Sequence, residues 1–363
     1  MAKPQFQLGG QALIEGVMMR GPTHVGAAVR RANGQIQSRV EPFDSILKRK
    51  PFLNIPFARG IIALFEMLAL GMGYLNWSSE LALQDEGKKK AGEAALTVKE
   101  PLTGTVVLEE QTEVAQPERD GENVAIAEPV TTTHPPSQEV ETQTAPDKKA
   151  LPIWVFLLTI LGSLGVGVAL FVALPNLVTD WIFEPLTQNR IALNLIEGLV
   201  KLAIFIGYVF IIGRRKNIRR VFEYHGAEHK VVYAVENGRP LTPAGARPFD
   251  TPHPRCGTGF ALITVFVSVI CFTFLPWGDG HLARIGLRLL LLPIVAGISY
   301  EIIKSTVNPR LAGLAMVVVK PGMWLQRLTT EEPSDEQLEV ACEAMRVLLV
   351  KEEEVTQTAE AKS

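Results

Sequence analysis

The sequence predicts a mainly α-helical, polytopic membrane protein with about four transmembrane helices and a small cytoplasmic α+β part that includes an N-terminal β-hairpin. Residues 153–174 are 22 consecutive residues without a charge, enough to cross a hydrocarbon core of about 30 Å. Comparable apolar runs follow at 191–213, 258–277 and 285–303. Positive charge gathers on one side of them. Lys148 and Lys149 precede the first run, Arg214, Arg215, Lys216, Arg219 and Arg220 follow the second, and Lys304, Arg310 and Lys320 follow the fourth. The opposite loops, 175–190 and 278–284, hold only Arg190 and Arg284 as basic residues. By the positive-inside bias, both termini and segment 214–257 are cytoplasmic.

Residues 1–50 read as a small stranded piece. Asn33-Gly34 is a strong two-residue hairpin turn, and it predicts pairing of Ala27 with Val40 and of Val29 with Ser38. The glycine-rich stretch GGQALIEGVMMRGP precedes it, and Glu15 and Arg20 within it are candidate site residues, with a surface ion pair as the plainer reading. The first residues lack the apolar core of a cleaved secretory signal, so none is expected. Residues 52–83 predict an amphipathic or re-entrant helix against the cytoplasmic side. Arg59, Glu66 and the parity of the termini argue against a fifth span. Residues 84–150 are poor in aromatics and rich in Glu, Thr, Pro and Gln, the composition of a disordered linker, so His134 within it is not a ligand.

The membrane core is expected over 151–305, with Trp154, Trp181 and Trp277 near the ends of its spans. Ser163 and Gly167 would allow a close helix approach. Glu197 and Lys201, four apart in the second run, are expected to pair and face the bundle rather than lipid. Residues 306–363 predict a cytoplasmic strand at LAMVVVKPG and then a helix capped by Ser334 and Gln337. Leu338, Ala341, Cys342, Met345, Leu348 and Leu349 form its docking stripe, and the last ten residues are expected to be loose.

The chemistry concentrates in Tyr224–Lys230, within a helix expected over 218–235. His225, Glu228 and His229 share one face. Imidazoles at i and i+4 can chelate one metal ion, with the carboxylate beside them as general base; HxxEH is the inverted zinc-protease arrangement. The competing plain reading is a solvated helix with two surface histidines. Gly226 costs this helix about 1 kcal/mol relative to alanine, which suggests that something close needs the space. His253 and Cys256 have ligand spacing where the chain re-enters the membrane, and Glu301 lies near the inner end of the fourth span. His225, His229, His253, Cys256 and Glu301 thus converge on one level, as a set suited to Zn²⁺ or another divalent metal. Cys256 as a nucleophile beside Arg255 is the alternative role. Cys271 and Cys342 read as packing residues, and His281 lies on the opposite side. The 363-residue chain is 47% hydrophobic with a net charge of -2, which gives no case for nucleic-acid binding. Its three cysteines lack any CxxC pair and fit a reducing compartment.

The segments GGQALIEGVMMRGP, YHGAEHK, HPRCGTGF, GISYEIIK and PGMWLQRLTTEEPSDEQLEVA together resemble the YqhQ family of bacterial membrane proteins, a family of unknown function labelled as predicted metal-dependent enzymes. That resemblance implies a bacterial plasma-membrane location and a metal site on His225, Glu228 and His229, with His253 and Cys256. Two departures stand out: a longer linker, and Gly259 where a serine is expected. The functional expectation is a metal-dependent, zinc-type hydrolytic enzyme acting on a membrane-associated substrate or protein at the cytoplasmic interface. Its rival is a non-catalytic scaffold or assembly factor whose metal is structural.

Overall fold

The computed structural model describes residues 8–56, 58–97, 153–254, 256–275, 280–306, 308 and 310–360. Gly9–Leu13 (β1), Gly16–Arg20 (β2), His24–Arg30 (β3) and Ile36–Pro42 (β4) form one antiparallel sheet in the order β1-β2-β3-β4. The expected hairpin is therefore half of a larger unit. GGQALIEGVMMR supplies two further strands, with Leu13 opposite Gly16 across a two-residue link in which Glu15 has φ 55°. The hairpin register also differs from the expected one, since Ala27 pairs with Arg39 and Val29 with Gln37. The connection is a three-residue loop, 32–34, closed by the Arg31 amide on Gln35 O and ended by Gly34 at φ 86°. A single left-handed glycine after a tight turn is the bulged alternative to the two-residue loop, and it moves every cross-strand partner by one.

Alternation along β2 sends Val17 and Met19 to one face and Met18 to the other, and all three are fully buried because both faces are covered. On one face lie helices Lys216–Glu236 (α6) and Asp335–Glu360 (α11), through Tyr224, Val231, Leu338, Met345 and Leu348. α11 presses directly on β3, where a Cβ at Gly26 would stand 2.6 Å from Ala344 O. The Ser334 and Gln337 capping box forms as read, Gln337 Oε1 accepting the Ser334 amide at 2.8 Å. The helix then continues to Glu360, through residues expected to be loose.

The short helix Ile46–Arg49 (α1) precedes Ala58–Thr97 (α2), whose Met67, Leu70, Tyr74, Trp77 and Leu81 close the other face of the sheet. α2 is longer than the helix expected over 52–83 and takes in 84–97 of the expected linker. Linker residues 98–150, with His134, lie outside the described residues, as do Trp277 and the side chain of His281. The two charges that argued against a long apolar helix are both satisfied. Arg59 donates to Glu301 at 2.7 Å, and Glu66 accepts the Ser45 hydroxyl at 2.8 Å.

Among the described residues, four helices are long and apolar enough to cross a membrane: 58–87 of α2, 161–183, Arg190–Gly213 (α5) and Leu282–Ser305, the last within His281–Ser305 (α9). The set is not the one expected from sequence. The first expected span runs on to Phe183 as Ile153–Val168 (α3), Ala169–Ala173, Leu174–Val178 (α4) and Thr179–Phe183, two of them wide π turns. The first π turn lies just before Pro175, whose missing N–H breaks the regular ladder. The run at 258–277 forms a shorter apolar helix, Gly257–Thr273 (α8), about 25 Å long at 1.5 Å per residue. The expected tail strand is a helix, Ala312–Gln326 (α10), in spite of Pro321. Its Val319 packs with Ile263 and Val267 of α8, and that burial outweighs the β preference of the valine run. Short helix Pro243–Ala246 (α7) lies in the loop after α6. Outward faces stay apolar: Leu158, Leu164, Ile211 and Leu290 are all exposed, as lipid-facing residues are.

The expected Glu197–Lys201 pair is replaced. Glu197 is paired with Arg288 of α9, which also reaches Asn194 Oδ1 at 3.2 Å, while Lys201 lies over the Phe272 ring at 4.9 Å. A second buried pair, Arg284–Asp180 at 2.6 Å, joins α9 to the first span. Guanidinium groups reaching across helices displace the local i,i+4 partner because they satisfy carboxylate and amide together. Gly167 meets open space rather than the close helix it was expected to admit, among the described residues.

Candidate metal centre

α6 follows α5 after a two-residue link and is buried on nearly all sides from Tyr224 to Val232. A helix so enclosed must find internal partners for its polar side chains. His225 is 7% exposed and His229 is 1% exposed, and both imidazoles use Nδ1 on backbone carbonyls. His225 Nδ1 donates to Thr329 O at 2.8 Å, and His229 Nδ1 donates to Thr251 O. Nδ1 is thereby the nitrogen that each ring gives to the backbone, which leaves Nε2 as the atom able to hold a proton or a metal ion. Carbonyl tethering of this kind orients metal-ligating histidines.

A sulfur lies in front of them. Cys256, 6% exposed, sits just before α8 with Sγ 3.0 Å from His225 Nε2. One ligand atom each from His225, His229 and Cys256 lies within 4.8 Å of the other two. The His225 and His229 rings are 4.5 Å apart, and His229 Nε2 is buried without a hydrogen-bond partner. His229 nonetheless stands close enough to Cys256 to help hold the thiol in its charged form, so both imidazoles converge on one buried sulfur. Two imidazoles and a thiolate suit Zn²⁺ and leave its fourth position to a further group.

With no ion between them the electrostatics favour a charged pair, a His225 imidazolium facing a Cys256 thiolate, in which an ion would take the place of the Nε2 proton. Burial alone would push Cys256 up, but His225 and His229 outweigh it and hold the thiol well below its ordinary value. Burial would push His225 down, and the facing Cys256 and Glu228 outweigh it and lift the imidazole to about 9. Glu228 responds mainly to burial, which raises it to about 7 against the pull of the two histidines. Its carboxylate takes the Gly10 amide of β1, and Oε2 remains buried without a hydrogen-bond partner. Gly10 has no room for a side chain, since a Cβ there would lie 2.9 Å from Glu228 Cδ.

The other expected site residues fall outside this trio. His253 packs beside it, its ring 5.6 Å from that of His229, with Nε2 3.6 Å from the Glu236 carboxylate. Glu301 is held by Arg59. That arginine lies more than two hundred residues upstream in the chain. Glu15 pairs with Arg220 rather than Arg20, whose guanidinium lies 4.3 Å over Phe43.

Sequence reasoning missed the residues that aim the cluster. Gln326, 1% exposed, clamps the loop carrying His253 and Cys256: Oε1 accepts the His253 amide at 2.8 Å and Nε2 donates to His253 O at 3.0 Å. A Cβ at Gly259 would lie 2.6 Å from Gln326 Nε2, so the expected serine position is filled by that amide instead. No spacing signal marks Gln326, Thr251 or Thr329, because two of them act through backbone carbonyls. The reason for Gly226 is visible as well, since a Cβ there would stand 2.2 Å from Glu331 O.

Comparison with known proteins agrees with this layout. A family profile described as protein of unknown function (DUF1385) matches residues 55–351, which takes in every residue of the cluster. The chain is 34% identical over 351 residues to the uncharacterized protein YqhQ of Bacillus subtilis (strain 168), covering 94% of this chain and 92% of that one. No solved structure matches. The chain therefore belongs to the YqhQ family of DUF1385 membrane proteins.

Proposed function

We propose that the protein is a metal-dependent hydrolase of the bacterial plasma membrane, with its site at the cytoplasmic interface and both termini on that side. The observation that carries this reading is the convergence of His225 Nε2, His229 Nε2 and Cys256 Sγ, with both imidazoles tethered through Nδ1. The concentration of basic residues after α5 and α9 supports the orientation. His225, His229 and Cys256 would hold Zn²⁺ or a similar divalent ion. Such an ion would supply Lewis acidity and acidify water at neutral pH. Glu228, one turn after His225 and immediately before His229, and raised to about 7 by burial, holds and moves the proton, close to the operating pH that a general base requires. Gly10 fixes the carboxylate through its amide and leaves Oε2 for that exchange.

A structural metal is the second reading. The carbonyl tethers tie α6 to the 251 and 329 segments, as a staple would. Glu228→Gln separates the two. The full chain is reconstituted in vesicles of total bacterial lipid and the products are followed by mass spectrometry. The hydrolase reading expects metal-dependent products from the wild type and none from Glu228→Gln at unchanged metal content. Equal products from both proteins would overturn it, as would a Glu228→Gln variant that fully replaces the wild type in cells.

A further inference from the structure

An open cavity of about 580 Å³ lies beside the candidate metal centre, between the C-terminal half of α6, loop 249–252 and the C-terminal half of α10. Its inner wall is aromatic, with Tyr233 stacked on Phe249 at 5.9 Å. Tyr233 also turns its edge to His253 at 4.6 Å, and His253 in turn lies against His229. Two side chains, Tyr233 and His253, therefore separate the cavity from the cluster. α10 supplies Lys320, Met323 and Trp324, and Arg327 caps its C-terminus; their spacing of three, four and seven puts them on one face.

Two features indicate what fits there. Lys320 and Arg327 are exposed, and neither makes a side-chain hydrogen bond or ion pair among the described residues. Asp250 is the one acidic residue in the lining, so the walls carry a net charge of +1, two cations against one carboxylate. The outer part of the same helix is apolar and open: Leu314, Val317 and Trp324 are all at least 67% exposed. The cavity opens near the ends of apolar helices, since α5 stops at Gly213 just before α6 and α8 begins at Gly257 just after Pro252. Tryptophan with cations beside it is the combination found where lipid headgroups lie.

We infer that the cavity seats the headgroup of a bilayer phospholipid, its phosphate between Lys320 and Arg327 and its chains leaving along Trp324 and Val317. A net +1 lining complements a single phosphodiester, and the apolar helix face continues it toward the acyl chains. As the substrate class of the neighbouring site this rests on the proposed function, whereas lipid binding itself does not.

The test uses the full chain in detergent, with retained ligand counted by native mass spectrometry. Three probes are titrated: phosphatidylglycerol, diacylglycerol with the same chains, and soluble glycerol 3-phosphate. Phosphatidylglycerol is expected to bind at least about tenfold better than either of the others. Lys320→Gln and Arg327→Gln should each weaken it about tenfold, the loss for one charge-assisted contact. Both side chains are exposed, so the variants should fold, and unchanged metal content in them is the control. Equal retention of diacylglycerol, or full retention by the double variant, would overturn the inference. Glycerol 3-phosphate binding as tightly as the lipid would assign the cavity to a soluble phosphate compound and overturn it too. Metal loss in His225→Ala without lipid loss separates failure of the hydrolase reading from failure of this one.

Discussion

Gly226→Ala opposes two effects of known sign at the centre of the motif. Helix propensity alone favours alanine by about 1 kcal/mol in a helix interior. Space opposes it: the new Cβ would stand 2.2 Å from Glu331 O and 3.2 Å from Thr251 Cγ2, where ordinary contact begins at 3.4 Å. The Glu331 backbone would have to withdraw by about 1 Å, and its amide is bonded to Phe222 O at 3.0 Å. Overpacking of this kind costs about 1–3 kcal/mol and exceeds the propensity gain. The displaced segment also carries Thr329 O, which orients His225, so metal affinity should fall by about 10–100-fold. Thermal unfolding of the detergent-purified variant, with a zinc competition titration, measures both. A variant more stable than wild type, with unchanged zinc affinity, would refute the close packing of the 329–331 segment on α6.

Four side chains elsewhere give independent checks. Glu197→Leu or Arg288→Leu alone should destabilise by about 3–5 kcal/mol, since each leaves a buried unpaired charge, and the double variant should recover much of the loss in a denaturation series. Burial pushes the Cys342 thiol up to about 12, so at pH 8 only about one part in ten thousand is thiolate. Iodoacetamide should leave Cys342 unmodified in the folded protein, as peptide mass mapping would report. Ser334→Ala removes half of a capping box and should cost about 1 kcal/mol of stability, measured by chemical denaturation.

The membrane class, the motif helix and the C-terminal capped helix could be read from residue spacing, because each depends on local periodicity. His225, Glu228 and His229 share a face for the same reason. The choice among His253, Cys256 and Glu301 could not be read that way. It depends on how Gln326 turns the 253–256 loop and on Arg59 claiming Glu301 from a distant helix. β1 and β2 escaped because glycine and methionine weaken the strand signal, while α10 was misread because its valines favour strands when considered alone. The Glu197 partner lay on another span, and sequence spacing reports only neighbours along one helix.

Metal content is the most direct test of the central claim. Elemental analysis of the detergent-purified full chain, after zinc reconstitution and desalting, should give about one zinc per chain for the wild type and for Glu228→Gln. His225→Ala and Cys256→Ser should both lose it, because each removes one of three converging ligands. A wild-type chain that holds no metal under these conditions, while remaining folded, would contradict the metal centre.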